Sequence, residues 1–288
     1  MSDFAPSPSP IPLPGLETKS AVASAPSPGP LRGTVTLNLQ TLYAQRVVLG
    51  RAASTERAGY IGLYAFAHLV RGVWAGAATA DPYADWWLVK IEQALSTAER
   101  NLQEIHDAVT TALNSLEGLV VIPASSLSPI ALELNFSTPH AFRAAQLTGR
   151  YDKVVRALLT ARHVACLPPP ATVKALWSAG RSLRQVFDSA RGYQPTHVVR
   201  ADFVATNASA QISIQKMGLL PPEILSDSLK AEYRPLRVPT ALIENAAHQS
   251  ASIAPDYAAT PITGSTDLIE TRPGFEDDLA ALFPDHED

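Results

Sequence analysis

Residues 37–46 read Leu-Asn-Leu-Gln-Thr-Leu-Tyr-Ala-Gln-Arg, and residues 134–143 read Leu-Asn-Phe-Ser-Thr-Pro-His-Ala-Phe-Arg. At an offset of 97 they share Leu, Asn, Thr, Ala and Arg, with apolar Leu39 and Phe136 at a matching position. In each, apolar and polar residues alternate before a helical pattern takes over, so each reads as a strand feeding a helix. Each also meets a Gly-Arg pair soon afterwards, Gly50-Arg51 and Gly149-Arg150. A chain of 288 residues also throws up one such match by chance, so the repeat is either a duplicated unit or a coincidence.

A duplicated unit has a direct structural consequence. It pairs with its copy about a local two-fold axis, and the two short strands form an antiparallel ribbon. Val35, Leu37, Leu39, Leu132, Leu134 and Phe136 then face the helices beneath. Thr34, Thr36, Asn38 and Gln40 face outward from the first strand, and Glu133, Asn135 and Ser137 from the second. A two-stranded ribbon fits the major groove of B-DNA, where Asn and Gln pair with adenine through two hydrogen bonds and Thr and Ser donate or accept. Arg46 and Arg143, one helical turn further on, are placed to hold flanking phosphates, and Arg51, Arg150, Lys153 and Arg156 widen that basic rim. Two considerations weigh against this reading. Short polar side chains on a strand's open face are usually just solvated, and Glu133 repels phosphate unless it accepts from a cytosine.

Working outward, the first strand is expected to lead into a helix over 41–53. Ser54 or Thr55 caps the next helix, which runs to Ala78. Asp81-Pro82 joins a capping acid to a proline at the first helical position, and the helical pattern then runs to Glu117, with Gly118 as the stop. Along it Leu88, Ile91, Leu95, Ala98, Leu102, Ile105 and Val109 alternate spacings of three and four. That seam, on a helix of roughly 50 Å, belongs either to a helix lying across its own domain or to a self-association surface. Further on, short strands are expected at Leu119–Ile122 and near Val198, and helices at 139–149, 152–166, 171–191 and Asp202–Met217. Pro221-Pro222-Glu223 starts a final helical turn. The fold class is mainly α with a small β ribbon (α+β), containing an internally duplicated ribbon-helix-helix-like core and a long helix.

Composition sets the limits of this core. Residues 1–30 hold eight of the 24 prolines among Ser and Ala, which reads as a disordered arm. Residues 240–288 read as a disordered acidic tail, leaving 31–239 as the folded core. The net charge of −4 hides a split: residues 31–240 hold 21 basic and 15 acidic residues, whereas 241–288 hold ten acids against Arg272 alone. A basic core permits contact with nucleic acid without demanding it. Cys166 is the only cysteine, which excludes an intrachain disulfide and a Cys-rich zinc site. The N-terminus lacks a signal-peptide pattern. The most apolar stretch, Tyr60–Ala80, contains His68 and Arg71 and suits a buried helix better than a membrane span. A cytoplasmic protein is expected.

Catalytic signatures are missing: no P-loop, no dinucleotide-binding glycine motif, no nucleophile elbow and no metalloprotease motif. The seven histidines are scattered, and His163 reads as a helix-end residue. Trp86-Trp87 suggests base stacking, but adjacent helical residues diverge by about 100°, so at least one belongs to the core. The expectation is a non-enzymatic protein with no cofactor and no metal. In the tail, Phe275, Leu279, Leu282 and Phe283 fall at helical spacing among Glu276, Asp277 and Asp278. That pattern suits either a segment that folds onto a protein partner or a merely solubilising one.

Three stretches carry a family resemblance: Arg32–Arg51, Asp81–Leu95 with its D-P-Y-A-D-W-W motif, and Tyr151–His163. They resemble uncharacterised proteins of bacterial integrating conjugative elements, a family related at a distance to a plasmid-encoded, ribbon-helix-helix-type activator of conjugation genes. The likeness spans roughly residues 31–230. It departs from simple ribbon-helix-helix proteins in that one chain would supply both strands and the long helix lies between them. The family has no established activity to carry over, and its distant relation suits the repeat. The leading expectation, built on the repeat, is a DNA-binding regulator of conjugative-element genes with double-stranded DNA as partner; self-association through the helix seam makes a homodimer an option. The second reading is a structural or adaptor protein of the transfer apparatus, working through the long helix and the acidic tail.

Overall fold

The computed structural model describes residues 33–55, 58–196 and 198–237. The arm, the acidic tail and its four apolar residues lie outside them. The elements are β1 (Val35–Leu39), α1 (Leu42–Leu49), α2 (Leu63–Ala78), α3 (Pro82–Asn114), β2 (Ile130–Leu134), α4 (Pro139–His163), α5 (Pro169–Asp188), α6 (Arg200–Ala205), α7 (Ala208–Met217) and α8 (Pro222–Leu225). The fold is mainly α with one small β ribbon, as the sequence indicated. The order strand–helix–helix occurs twice, with α3 between the copies.

β1 and β2 pair antiparallel, centred on Leu37 opposite Leu132. Leu39 and Leu134 are buried at the two ends of the ladder, Leu37 and Leu132 are half-buried, and Val35 and Ile130 are exposed. Period-two alternation therefore puts one apolar edge against the helices, as strand geometry requires.

The heptad seam faces inward. Leu88, Ile91, Leu95, Ala98, Leu102 and Val109 are buried and Ile105 is half-buried, because α3 packs against α2, α4 and α5. Full burial of each Leu or Ile stabilises by about 1.5–3 kcal/mol, so the seam serves the protein's own core rather than self-association. Asp81 starts α3 as expected: its carboxylate accepts from the Tyr83 N–H at 2.8 Å, with Pro82 at the first position. The helix ends at Asn114, a little before Glu117. Tyr60–Ala80 supplies a buried helix, α2, through Leu63, Phe66, Val70, Val73 and Ala77. Among the described residues no helix is long and apolar enough to cross a membrane.

Several local expectations are corrected. α2 starts at Leu63, not after Ser54 or Thr55; the chain first runs back on itself, with Arg51 and Tyr60 exchanging two backbone hydrogen bonds of 2.9 Å. Glycines permit this reversal: Gly50 has φ 75°, and a Cβ on Gly62 would strike the Val48 carbonyl oxygen. The two helices expected at 139–149 and 152–166 are one continuous α4. Gly149 costs about 1 kcal/mol within a helix, but burial of Leu147, Tyr151, Val154, Val155 and Leu158 outweighs it. The expected helix Asp202–Met217 is divided into α6 and α7 at Thr206, which has φ 51°; Asn207 then caps α7 through Ala210 N–H at 3.0 Å. Among the described residues, 119–122, 193–196, 198 and 199 form no strand.

The last described stretch is strapped to α3. Asp85 takes Arg200 at 2.7 Å and Arg237 at 3.1 Å. Two helical turns on, Glu92 accepts from the backbone N–H groups of Glu232 at 2.8 Å and Tyr233 at 2.9 Å.

Candidate nucleic-acid interface

The ribbon's outer face presents Thr36 opposite Glu133 and Asn38 opposite Ala131, all exposed. Thr34 and Asn135 lie just beyond the Val35–Leu134 rung, at the same end of the ladder, and both are exposed, as is Ser137. A local two-fold through the Leu37–Leu132 pair superposes Asn38 on Glu133 and Thr36 on Ala131, and both strands share one sequence of exposed, exposed, half-buried, exposed, buried.

This geometry corrects the residue-by-residue match. The helix caps Thr41 and Thr138 are equivalent at the offset of 97, but the strands are equivalent at 95. Three residues, Asn135-Phe136-Ser137, link β2 to its cap, whereas Gln40 alone links β1 to Thr41. A two-residue slip preserves which face each side chain takes, so the outward-facing set survives while the Asn38–Asn135 equivalence does not. The Gly-Arg pairs are likewise unrelated: Gly50 caps α1, while Gly149 lies within α4, where Leu37 Cδ1 sits 3.5 Å from the position of a Cβ.

Gln40 is half-buried and its Oε1 accepts from Ser126 N–H at 3.1 Å, so this side chain anchors the 123–128 loop. Arg143 is half-buried too, 3.6 Å from Glu99 and with its guanidinium 5.9 Å from the Tyr233 ring centroid. Arg46 is exposed, as are Arg150 and Lys153. Arg156 donates to the Ala124 carbonyl at 2.6 Å and holds the same loop as Gln40.

Asp152 positions the ribbon, and the sequence reading missed it. Its carboxylate is 3% exposed and accepts from Gln40 N–H at 2.9 Å, Thr41 N–H at 2.9 Å and Thr41 Oγ at 2.6 Å. The β1–α1 corner is thereby bolted to the middle of α4. A carboxylate on the apolar side of a helix was the available signal, since a buried charge requires donors.

Arg51, expected on the basic rim, meets two arginines of α5 that the sequence reading missed. Arg51 lies 5.4 Å and Arg184 5.6 Å from the Tyr60 ring centroid, and Arg181 stacks 5.0 Å from the ring of exposed Trp177. Burial lowers the Arg184 pKa, and the charges of Arg51 and Arg181 push it the same way against the influence of Tyr151 and Tyr60. Arg46 and Arg162 sit close enough to Tyr43 to act on its phenol. Among the described residues, none of Arg46, Arg51, Arg162, Arg181 and Arg184 has a carboxylate within ion-pair distance.

Of the tryptophan pair, Trp87 belongs to the interior and Trp86 is half-buried against it. Trp87 is buried and donates to the Arg191 carbonyl at 2.9 Å, and the Lys90 ammonium lies 4.0 Å from the Trp86 ring and 3.1 Å from the Trp87 ring. His163 is exposed on the last turn of α4. Among the described residues no group of three His, Cys, Asp or Glu is arranged to hold a metal ion.

Comparison with known proteins agrees with a regulatory role. No curated protein matches the chain. The crystal structure of AcaB from uropathogenic E. coli covers 69% of this chain and 96% of its own, with 15% identity and a TM-score of 0.46. The family model described as transcriptional regulator AcaB matches residues 27–237, a span that contains all three stretches on which the resemblance was drawn. The chain belongs to the AcaB family of transcriptional regulators.

Proposed function

We propose that this regulator binds double-stranded DNA with the β1–β2 ribbon in the major groove, acting on genes of a conjugative element in the cytoplasm. The observation that carries the reading is the antiparallel ribbon itself, with both strands in one chain, polar side chains bared on its outer face, and two helices following each strand. Thr36 and Asn38 take the base-reading role on β1, Asn38 through two hydrogen bonds to adenine. On β2, Glu133 accepts from a cytosine amino group, which turns an apparent repulsion into selection for that base. Thr34, Asn135 and Ser137 flank these contacts. Arg46, Arg150 and Lys153 hold phosphates, which fix register without reading sequence. Gln40 and Arg143 support the scaffold instead, through Ser126 and through Glu99 and Tyr233.

The adaptor reading loses one of its two surfaces, because the α3 seam is buried in the protein's own core. Homodimerisation, where it occurs, uses another face. The tail remains as a candidate partner-binding segment through Phe275, Leu279, Leu282 and Phe283.

Gel shifts of the full chain on the element's promoter DNA test the proposal. Affinity is expected to fall with rising salt, as counterion release demands. The Thr36→Ala/Asn38→Ala double variant should lose about 1–3 kcal/mol of discrimination per base contact while keeping its non-specific binding. Unchanged selectivity in that variant would rule the ribbon out as the reading surface.

A further inference from the structure

The arginine group around Tyr60 and Trp177 has no counter-charge among the described residues, and the chain itself carries a complementary segment. Residues 241–288 hold ten acids against one base, while residues 31–240 hold a surplus of six positive charges. We propose that the acidic segment 266–288 docks in cis on the face formed by Arg51, Arg181 and Arg184, where it competes with DNA phosphate. The competition with DNA rests on the function proposed above and adds the arginines of this face to its phosphate contacts; the docking does not depend on it.

Three observations support the pairing. The first is the chemistry of the face. Arg51 and Arg181 are exposed, Arg184 is half-buried, and two aromatic rings lie among them, Trp177 at 45% exposure. Like charges gathered with no carboxylate paired to them among the described residues raise the local potential and draw an anion, and the rings offer apolar contact to the same ligand. The second is the segment. Glu276, Asp277 and Asp278 supply carboxylates for bidentate guanidinium contacts, while Phe275, Leu279, Leu282 and Phe283 supply apolar side chains for Trp177 and Tyr60. The third is the tether. Glu92 holds the backbone of Glu232 and Tyr233, and Asp85 holds Arg237, so the segment departs from a fixed point on α3. A tethered ligand acts at an effective concentration of roughly millimolar, enough for a weak charge-driven contact to be occupied. Reach is not limiting, because residues 238–265 extend up to ~90 Å at ~3.3 Å per residue.

Docking of this kind damps non-specific DNA binding most. Phosphate contact alone is exchangeable for carboxylate contact, whereas base contacts at the ribbon are not, so the tail sharpens the preference for the target sequence.

The test uses full-length chains and a fluorescent synthetic peptide of residues 266–288, followed by anisotropy. The peptide is expected to bind the Glu276→Gln/Asp277→Asn/Asp278→Asn chain about tenfold more tightly than the wild-type chain, whose own segment occupies the face. Binding should weaken with salt and disappear when Arg51→Gln/Arg181→Gln is added; both positions are exposed, and circular dichroism verifies that the fold is kept. Equal peptide binding by the first two chains, or binding that survives loss of both arginines, overturns the proposal. Gel shifts with the same proteins separate the two readings. Peptide binding without any DNA binding leaves the docking intact and removes the DNA reading. DNA binding unaffected by tail charge, with no peptide binding, removes the docking; weakened DNA binding by the Arg51→Gln/Arg181→Gln chain then assigns the arginine face to DNA.

Discussion

Asp152 and Glu92 do the same kind of work at different places: each is an acid on a helix that ties down a backbone turn from a distant part of the chain. Asp152 satisfies the Gln40 and Thr41 N–H groups and the Thr41 hydroxyl. Removal leaves donors unpaired in a half-buried corner, at a cost of about 1–3 kcal/mol for each that water does not reach. Asp152→Ala is therefore expected to lose about 3 kcal/mol or more in urea denaturation, with Asp152→Asn losing less because one oxygen still accepts. An Asp152→Ala protein as stable as wild type would mean that the corner holds without it. Glu92 behaves as a pH-dependent latch. Burial raises its pKa, but the His140 hydrogen bond and the Tyr233 and Glu232 N–H groups more than reverse this and hold the carboxyl below its ordinary 4.5. An acid with a depressed folded pKa contributes its full stability above the unfolded value and loses it as pH falls through the folded one. The melting temperature should thus decline below pH 4.5 in the wild type, with a smaller decline in Glu92→Gln, as thermal melts across pH 3–6 will show.

At the level of elements, the ribbon survives on little. Five rungs join β1 to β2, and an isolated two-stranded pair is marginal in water, so the pair depends on Leu39 and Leu134 plugging into the helices below. Leu134→Ala should cost about 3 kcal/mol, as a buried Leu→Ala change does. Hydrogen exchange should show amides of both strands losing protection together, since among the described residues neither strand has another strand beside it. Protection retained on β1 in that variant would contradict the dependence. α3 illustrates the opposite case, a long element with one buried seam. Its three–four spacing was plain in the sequence, yet the same spacing serves a coiled-coil partner or the protein's own helices equally well. Only the position of α2, α4 and α5 chose between them.

On the scale of the whole molecule, one chain supplies both halves of a two-fold ribbon, so the halves are free to differ. Thr36 and Asn38 face outward from one strand, Ala131 and Glu133 from the other. A dimer of identical ribbon subunits sees a palindrome, but this ribbon is expected to select an asymmetric site. Selection of bound sequences from random duplex DNA by the full chain should return a consensus whose two halves differ, with each mismatch costing about 1–3 kcal/mol. A palindromic consensus would place the reading surface elsewhere or between two copies.

Local signals were strong enough by themselves to determine the class of the fold and several of its boundaries. Strict alternation over Thr34–Gln40 and Ile130–Ser137 gave two strands, and Asp81-Pro82 gave the start of α3; the strands' pairing was an expectation only of a duplicated repeat. Those features depend on neighbours a few residues apart, and period and capping record them directly. The tertiary structure decided the rest. The slip from 97 to 95 arises in a linker whose length only the paired strands reveal. Gln40 and Arg143 were drawn into the scaffold by Ser126 and Glu99, and the arginines of α5 met Arg51 across Tyr60. These outcomes join residues about 40 to 130 positions apart, and nothing in a residue's own surroundings along the chain encodes which distant charge or carbonyl it will face.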